Sequence, residues 1–123
     1  MIVTFAMSGS VGELELVRGW AREHLATLSE EALDDVVLVL DELTSNAVVH
    51  GSPVRRVRLL QWPDTVRVEV DDGSRQPAHP REPSDTGGRG LLLVAALSTR
   101  WGQDHHDVGK TVWAELKTTS RPG

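Results

Sequence analysis

The 123-residue chain contains no cysteine and no tyrosine, and only one phenylalanine. Without thiols there can be no disulfide, no thiolate nucleophile and no cysteine-held metal. Positive charge is also scarce: 13 Lys and Arg stand against 18 Asp and Glu, for a net charge of −5. Neutralising nucleic-acid phosphates needs a basic face, so no direct nucleic-acid partner is expected. The one basic cluster is Arg55, Arg56 and Arg58 in "RRVR". It precedes an apolar strand signal and reads as a solvated strand edge that discourages edge pairing. Long apolar runs are missing too. The longest, "LLLVAAL" at residues 91–97, falls well short of the roughly 18 residues a membrane span requires. The opening "MIVTFAMSGS" lacks the basic flank and long apolar stretch of a signal peptide. These absences point to a cytoplasmic protein without a membrane partner.

What remains is the composition of a folded domain, 39% hydrophobic and 25% charged. The length suffices for one domain with a real core and is too short for two. A single domain over residues 1–117 with a frayed tail at 118–123 is expected. "IVTFAM" is a short β-prone run. Leu14, Val17, Ala21 and Leu25 then recur at helical spacing, predicting a helix that starts near Ser10. A second helix begins after Ser29, a good N-cap, with Glu30 and Glu31 favourably placed in its first turn. Gly51 stops it, and Pro53 prevents continuation.

Beyond residue 53 the period changes to two. "VRRVRLLQW" and "TVRVEVDDG", separated by "PD", read as an antiparallel hairpin. "SRQPAHPREPSDTGG" has no periodicity and reads as a loop. An apolar helix follows, then "DHHDVG" as a turn and "KTVWAEL" as a closing strand. The order β-α-α-β-β-loop-α-β-β predicts an α+β two-layer sandwich, with helices on one face of a mainly antiparallel sheet. "DHHD" at 104–107 reads as a solvated turn, because adjacent turn residues do not converge easily on one ion. Trp20, Trp62, Trp101 and Trp113 read as core or sheet-face packing.

The second helix carries an unusual line of residues. Val36, Leu40, Leu43 and Ala47 form its core stripe. Glu42, Asn46 and His50 run parallel to that stripe at steps of four, with stems near the core and heads available to a cleft. On the helix alone they could be a wetted flank. Farther along, strict alternation in "VRVEVDDG" puts Val66, Val68, Val70 and Asp72 on one strand face. A carboxylate at a buried strand end is costly unless something donates hydrogen bonds to it, and an exocyclic amine of a nucleobase would do so. Asp71 points the other way. "TGGRGL" then opens a helix, and glycines with a helix N-terminus suit phosphate.

The segments "DELTSNAVVHG", "VEVDDGS", "GGRGL" and "GKTVWAEL" together resemble the ATP-site segments of the GHKL, or Bergerat-fold, superfamily. Within it they are most similar to the small anti-sigma-factor serine/threonine kinases. The resemblance runs from about Val36 to Leu116, in order and at compatible spacing. It implies ATP and Mg²⁺ as cofactors. Asn46 takes the position of the Mg²⁺ ligand, Glu42 that of the general base, and Asp72 that of the adenine reader, with Thr111 supporting it. Gly88, Arg89, Gly90 and Leu91 line the phosphate end, and His50 stands as a phosphate contact. The sequence departs from the superfamily's Asp-x-Gly-x-Gly, which becomes Asp72-Gly73-Ser74-Arg75-Gln76, so that Ser74 replaces the first glycine at the nucleotide. As partners, the resemblance implies a sigma factor and an antagonist protein whose serine or threonine is phosphorylated, and it admits a homodimer. A nucleotide-dependent interaction module without phosphotransfer is the alternative.

Overall fold

The computed structural model describes residues 1–74 and 90–120. Strands β1 (Ile2–Met7), β2 (Arg55–Trp62), β3 (Thr65–Asp72), β4 (Arg100–His106) and β5 (Gly109–Lys117) form one sheet in the order β1-β2-β3-β5-β4. Every pairing in it is antiparallel. Helices α1 (Glu13–His24), α2 (Glu30–His50) and α3 (Gly90–Leu97) supply the second layer. The α+β sandwich expected from the sequence is therefore the fold.

Local chemistry explains the element ends. At the start of α1, Glu13 turns its carboxylate back onto the N–H groups of Ser8 and Ser10, which offsets the unpaired donors of a helix N-terminus. The Ser29 hydroxyl accepts from the Ala32 N–H at 3.2 Å and caps α2. β2 and β3 join through a two-residue turn, since Trp62 pairs with Thr65. Asp107 and Val108 make the second such turn, flanked by His106 and Gly109. Two details of the sequence reading need correction here. Asp104, His105 and His106 belong to β4 rather than to a turn. Thr118–Ser120 are not frayed: Ser29 N–H donates to the Thr119 carbonyl at 2.8 Å, and Leu28 bridges Ser120.

The core lies between the layers. Val36, Leu40, Leu43 and Ala47 of α2 are all buried against Val57, Leu59, Val66, Val68, Val70, Val112, Ala114 and Leu116 of the sheet. Burial of one such side chain contributes roughly 1.5–3 kcal/mol. The same alternation sends Arg56, Arg58, Arg67, Glu69, Asp71, Thr111, Trp113 and Glu115 to the outer face. There Arg58 binds Asp71 with both arms and also reaches Glu69, which Arg67 meets at 2.7 Å. Arg67 continues to Glu115 and lies 4.1 Å from the centre of the Trp113 ring. The outer face is thus a self-neutralised ladder of cross-strand pairs.

The cluster "RRVR" is not an edge, because β2 is paired on both sides. Its three arginines have three fates. Arg56 stays half in solvent near Asp71, and Arg58 joins the outer ladder. Arg55 is buried and donates to the carbonyls of Ala47 and Gly51 at 2.8 and 3.1 Å. A cation there gives the Ala47 carbonyl, which already accepts the Gly51 N–H, a second donor, supplies one to the Gly51 carbonyl, and complements the helix dipole.

Candidate functional site

Helix α2 has to be long to build the site, because it carries both the core stripe and the polar line beside it. Glu42 and Asn46 are half-buried, and His50, in the last turn, is exposed. Glu42 and Asn46 are neighbours one turn apart on the helix surface. Among the described residues, neither side chain has a hydrogen-bond partner, whereas Thr44, on the buried side, donates back to the Leu40 carbonyl at 2.8 Å. Burial, with the charge of neighbouring Asp41 as a second cause, pushes the Glu42 carboxyl above its ordinary value. A carboxylate raised in this way is a better proton acceptor.

Gly51 and the segment after it bring the end of α2 onto the end of β3. The Gly73 N–H donates to the Ser52 carbonyl at 2.7 Å. A Cβ added at Gly51 would lie 2.8 Å from the Asp72 carboxyl carbon, so only glycine permits this approach. Gly109, at φ +147°, passes against the Asp72 carbonyl from the other side, in a conformation that glycine alone adopts readily. Asp72 is therefore enclosed by the turn after α2 and the start of β5, facing the helix layer as the alternation predicts.

Asp72 is 4% exposed and has its own partners. Its Oδ1 accepts from the Ser74 N–H at 2.7 Å. Lys110 Nζ lies 3.2 Å from Oδ1 and 3.1 Å from Oδ2, and Lys110 is itself 3% exposed. Lys110 is a residue of this site that the sequence alone does not single out. The signal was present: Lys110, Val112, Ala114 and Leu116 alternate in phase on β5, as Val66, Val68, Val70 and Asp72 do on β3. Thr111 is out of phase. It sits on the outer face, where its hydroxyl donates to Asp71 Oδ1 at 2.6 Å and meets His106 Nε2 at 2.9 Å. The expected support of Asp72 by Thr111 is corrected accordingly, and Asp71 takes that hydroxyl instead. Burial raises the Asp71 carboxyl, but the bonds from Arg58 and Thr111 more than offset this and hold it below its ordinary value.

Of the remaining expected residues, Ser74 is buried and bonded to Asp72 through its backbone. Gly90 opens α3, and Leu91 is buried under it. Gly88 and Arg89 lie outside the described residues. Among the described residues, no three His, Asp or Glu side chains are arranged to hold a metal by themselves. A magnesium ion here could take the Asn46 amide oxygen as a side-chain ligand. That fits an ion which keeps several waters and completes its shell with substrate phosphates.

The sequence profile of histidine kinase-like ATPase domains matches residues 7–116 of the chain. No curated protein matches it. Among solved structures, the chain is similar to the crystal structure of the RsbU and RsbW domains of Rv1364c from Mycobacterium tuberculosis. That similarity covers 100% of this chain at a TM-score of 0.75 and 24% identity. The histidine kinase domain of the blue-light activated histidine kinase EL346 from Erythrobacter litoralis matches 85% of the chain at a TM-score of 0.56 and 18% identity. This chain spans 34% of the first of those chains and 59% of the second.

Proposed function

The chain belongs to the histidine kinase-like ATPase domain family, and from that premise we propose that it is an anti-sigma regulatory kinase of the cytoplasm. In this reading it binds Mg-ATP, sequesters a sigma factor, and phosphorylates a serine or threonine of an antagonist protein. The observation that carries the reading is the flank of α2. Glu42 and Asn46 stand one turn apart, half-buried and without hydrogen-bond partners among the described residues, and Glu42 is held above its ordinary value.

Mg-ATP, when bound, supplies the transferable phosphoryl group and neutralises charge at the bond that breaks. The Asn46 amide oxygen would hold the ion. The Glu42 carboxylate would accept the proton of the attacking serine or threonine hydroxyl as its oxygen forms the new bond to the γ-phosphorus. The bond from that phosphorus to the bridging oxygen breaks, leaving ADP. Asp72 would orient the base by accepting its exocyclic amine, and the α3 N-terminus at Gly90 would face the phosphates.

One observation favours the rival reading of a nucleotide-dependent binding module. Ser74 replaces a glycine where the backbone would approach the nucleotide. Incubation of the protein and a candidate antagonist with γ-radiolabelled ATP separates the two. Label on the antagonist supports the kinase. Tight binding of nucleotide and partner with no label on any protein supports the module.

A further inference from the structure

Lys110 is a buried cation whose one carboxylate partner among the described residues is Asp72. Its ammonium group has three hydrogens; among the described residues it makes one hydrogen bond, to Asp72 Oδ1 at 3.2 Å, with Oδ2 as an ion-pair contact at 3.1 Å. At 3% exposure a remaining hydrogen has little access to water, and a buried donor left unmet is costly. Stability alone does not account for the pair, since a buried ion pair is often no better than apolar residues of similar volume. Asp72 is in the complementary position. Its two oxygens offer about four acceptor sites, and among the described residues the Ser74 N–H and Lys110 fill two of them, both on Oδ1.

Among the described residues, the two side chains thus present spare acceptor capacity, on Oδ2, beside spare donor capacity on the ammonium. The amino edge of adenine offers the reverse arrangement, an amine hydrogen beside a ring nitrogen. We propose that Lys110 reads the nucleobase jointly with Asp72. Asp72 accepts the amine hydrogen, and Lys110 donates to the ring nitrogen next to it. Lys110 is then a specificity-determining residue of the base subsite as well as the counterion of Asp72. The proposal rests on the reading that this family member binds ATP in the site beside α2.

The test needs no variant at its first stage. Calorimetric titration of the wild-type protein with ATP, 1-deaza-ATP and 7-deaza-ATP removes the two candidate ring nitrogens one at a time. One analogue is expected to bind about ten- to hundredfold more weakly than ATP, the range for one hydrogen bond to a charged group. The other should bind like ATP. Lys110→Met, with its fold checked by circular dichroism, should bind ATP and the weaker analogue alike. If both analogues bind the wild type as tightly as ATP does, Lys110 makes no bond to the base, and the proposal fails while nucleotide binding stands. If Lys110→Met binds ATP more tightly than the wild type, Lys110 competes with the base for Asp72, and the proposal fails in the opposite sense. If the wild type binds no ATP at all, the functional reading falls and this inference falls with it.

Discussion

The Arg55 guanidinium, carried by β2, donates through Nε to the Ala47 carbonyl of α2 at 2.8 Å and so ties the C-terminus of the helix to the sheet. Three residues beyond Ala47 lies His50, and one more brings Gly51 against Asp72. The tie therefore sets where the polar line of α2 meets the end of β3. Arg55→Met keeps the apolar stem and removes one buried and one part-buried bond to backbone carbonyls. It should cost about 2–4 kcal/mol of folding stability, the sum of two charge-assisted bonds discounted for water entry. Urea unfolding measures it, and a loss under about 1 kcal/mol would mean that other groups hold the helix end.

How far the sequence could be read depended on the period of each signal. Alternation in "VRVEVDD" gives the helix-facing side of β3 to Asp72, and the four-residue steps of α2 put Glu42 and Asn46 beside its buried stripe, because a strand or helix face is fixed by covalent geometry. The Ser29 cap and the two-residue turn after Trp62 were legible for the same reason. Lys110 was missed although its phase on β5 was plain, because a lysine at a core position is improbable until its partner is known. The fates of Arg55, Arg56 and Arg58 could not be read, since each depends on pairing with residues distant in sequence. No local pattern says that the end of α2 needs a cation or that β2 lies inside the sheet.

Asn46→Ala should abolish Mg²⁺-dependent nucleotide binding and leave the fold unchanged. Asn46 lies off the buried stripe of α2 and has no hydrogen-bond partner among the described residues, so truncation opens no core cavity and orphans no neighbour. Titration with ATP in the presence of magnesium or a chelator reports it. A variant that binds Mg-ATP like the parent would show that this line on α2 is only a wetted flank.

Asp71 and Asp72 are adjacent yet should behave differently. Asp72→Asn leaves the Lys110 ammonium buried without its countercharge, a change that costs about 3–5 kcal/mol. It should also weaken ATP binding. Asp71→Asn loosens Arg58 and Thr111 on the outer face and should leave ATP affinity unchanged. Parallel denaturation and ATP titration of the two variants provide the comparison. Equal losses of ATP affinity would remove the distinction between the two faces.

The outer ladder predicts an acid-sensitive stability. Bonds from Arg100 and then Arg67 hold the Glu115 carboxyl down at about 2, against an ordinary 4.5. A group depressed on folding contributes stability that is present above the unfolded value and is lost as pH falls through the folded one. The wild type should therefore lose stability relative to Glu115→Gln between about pH 4.5 and 2. The difference should be ~1 kcal/mol, since Arg100 is well exposed and solvent weakens its share. Urea melts at pH 5 and pH 2.5 resolve it, and parallel pH profiles for the two proteins would contradict the assignment.

Glu42 separates catalysis from binding. Burial first and Asp41 second raise its carboxyl above 4.5, so keeping it ionised at neutral pH costs folding free energy. The contribution of a group raised in this direction is present below the unfolded value and is lost as pH rises through the folded one. Glu42→Gln should thus be more stable than the wild type at neutral pH, by less than about 1 kcal/mol because the residue is only half-buried. The gain should disappear below pH 4.5. Glu42→Ala should keep ATP affinity, or tighten it, since a carboxylate near the triphosphate repels it. Phosphorylation of the antagonist should fall ~10²–10⁴-fold, the usual contribution of a general base. Single-turnover transfer with radiolabelled ATP measures that rate. Undiminished transfer by Glu42→Ala would remove Glu42 as the base while leaving the kinase standing. A wild type that binds Mg-ATP and its partner yet labels no protein would leave a binding module in its place.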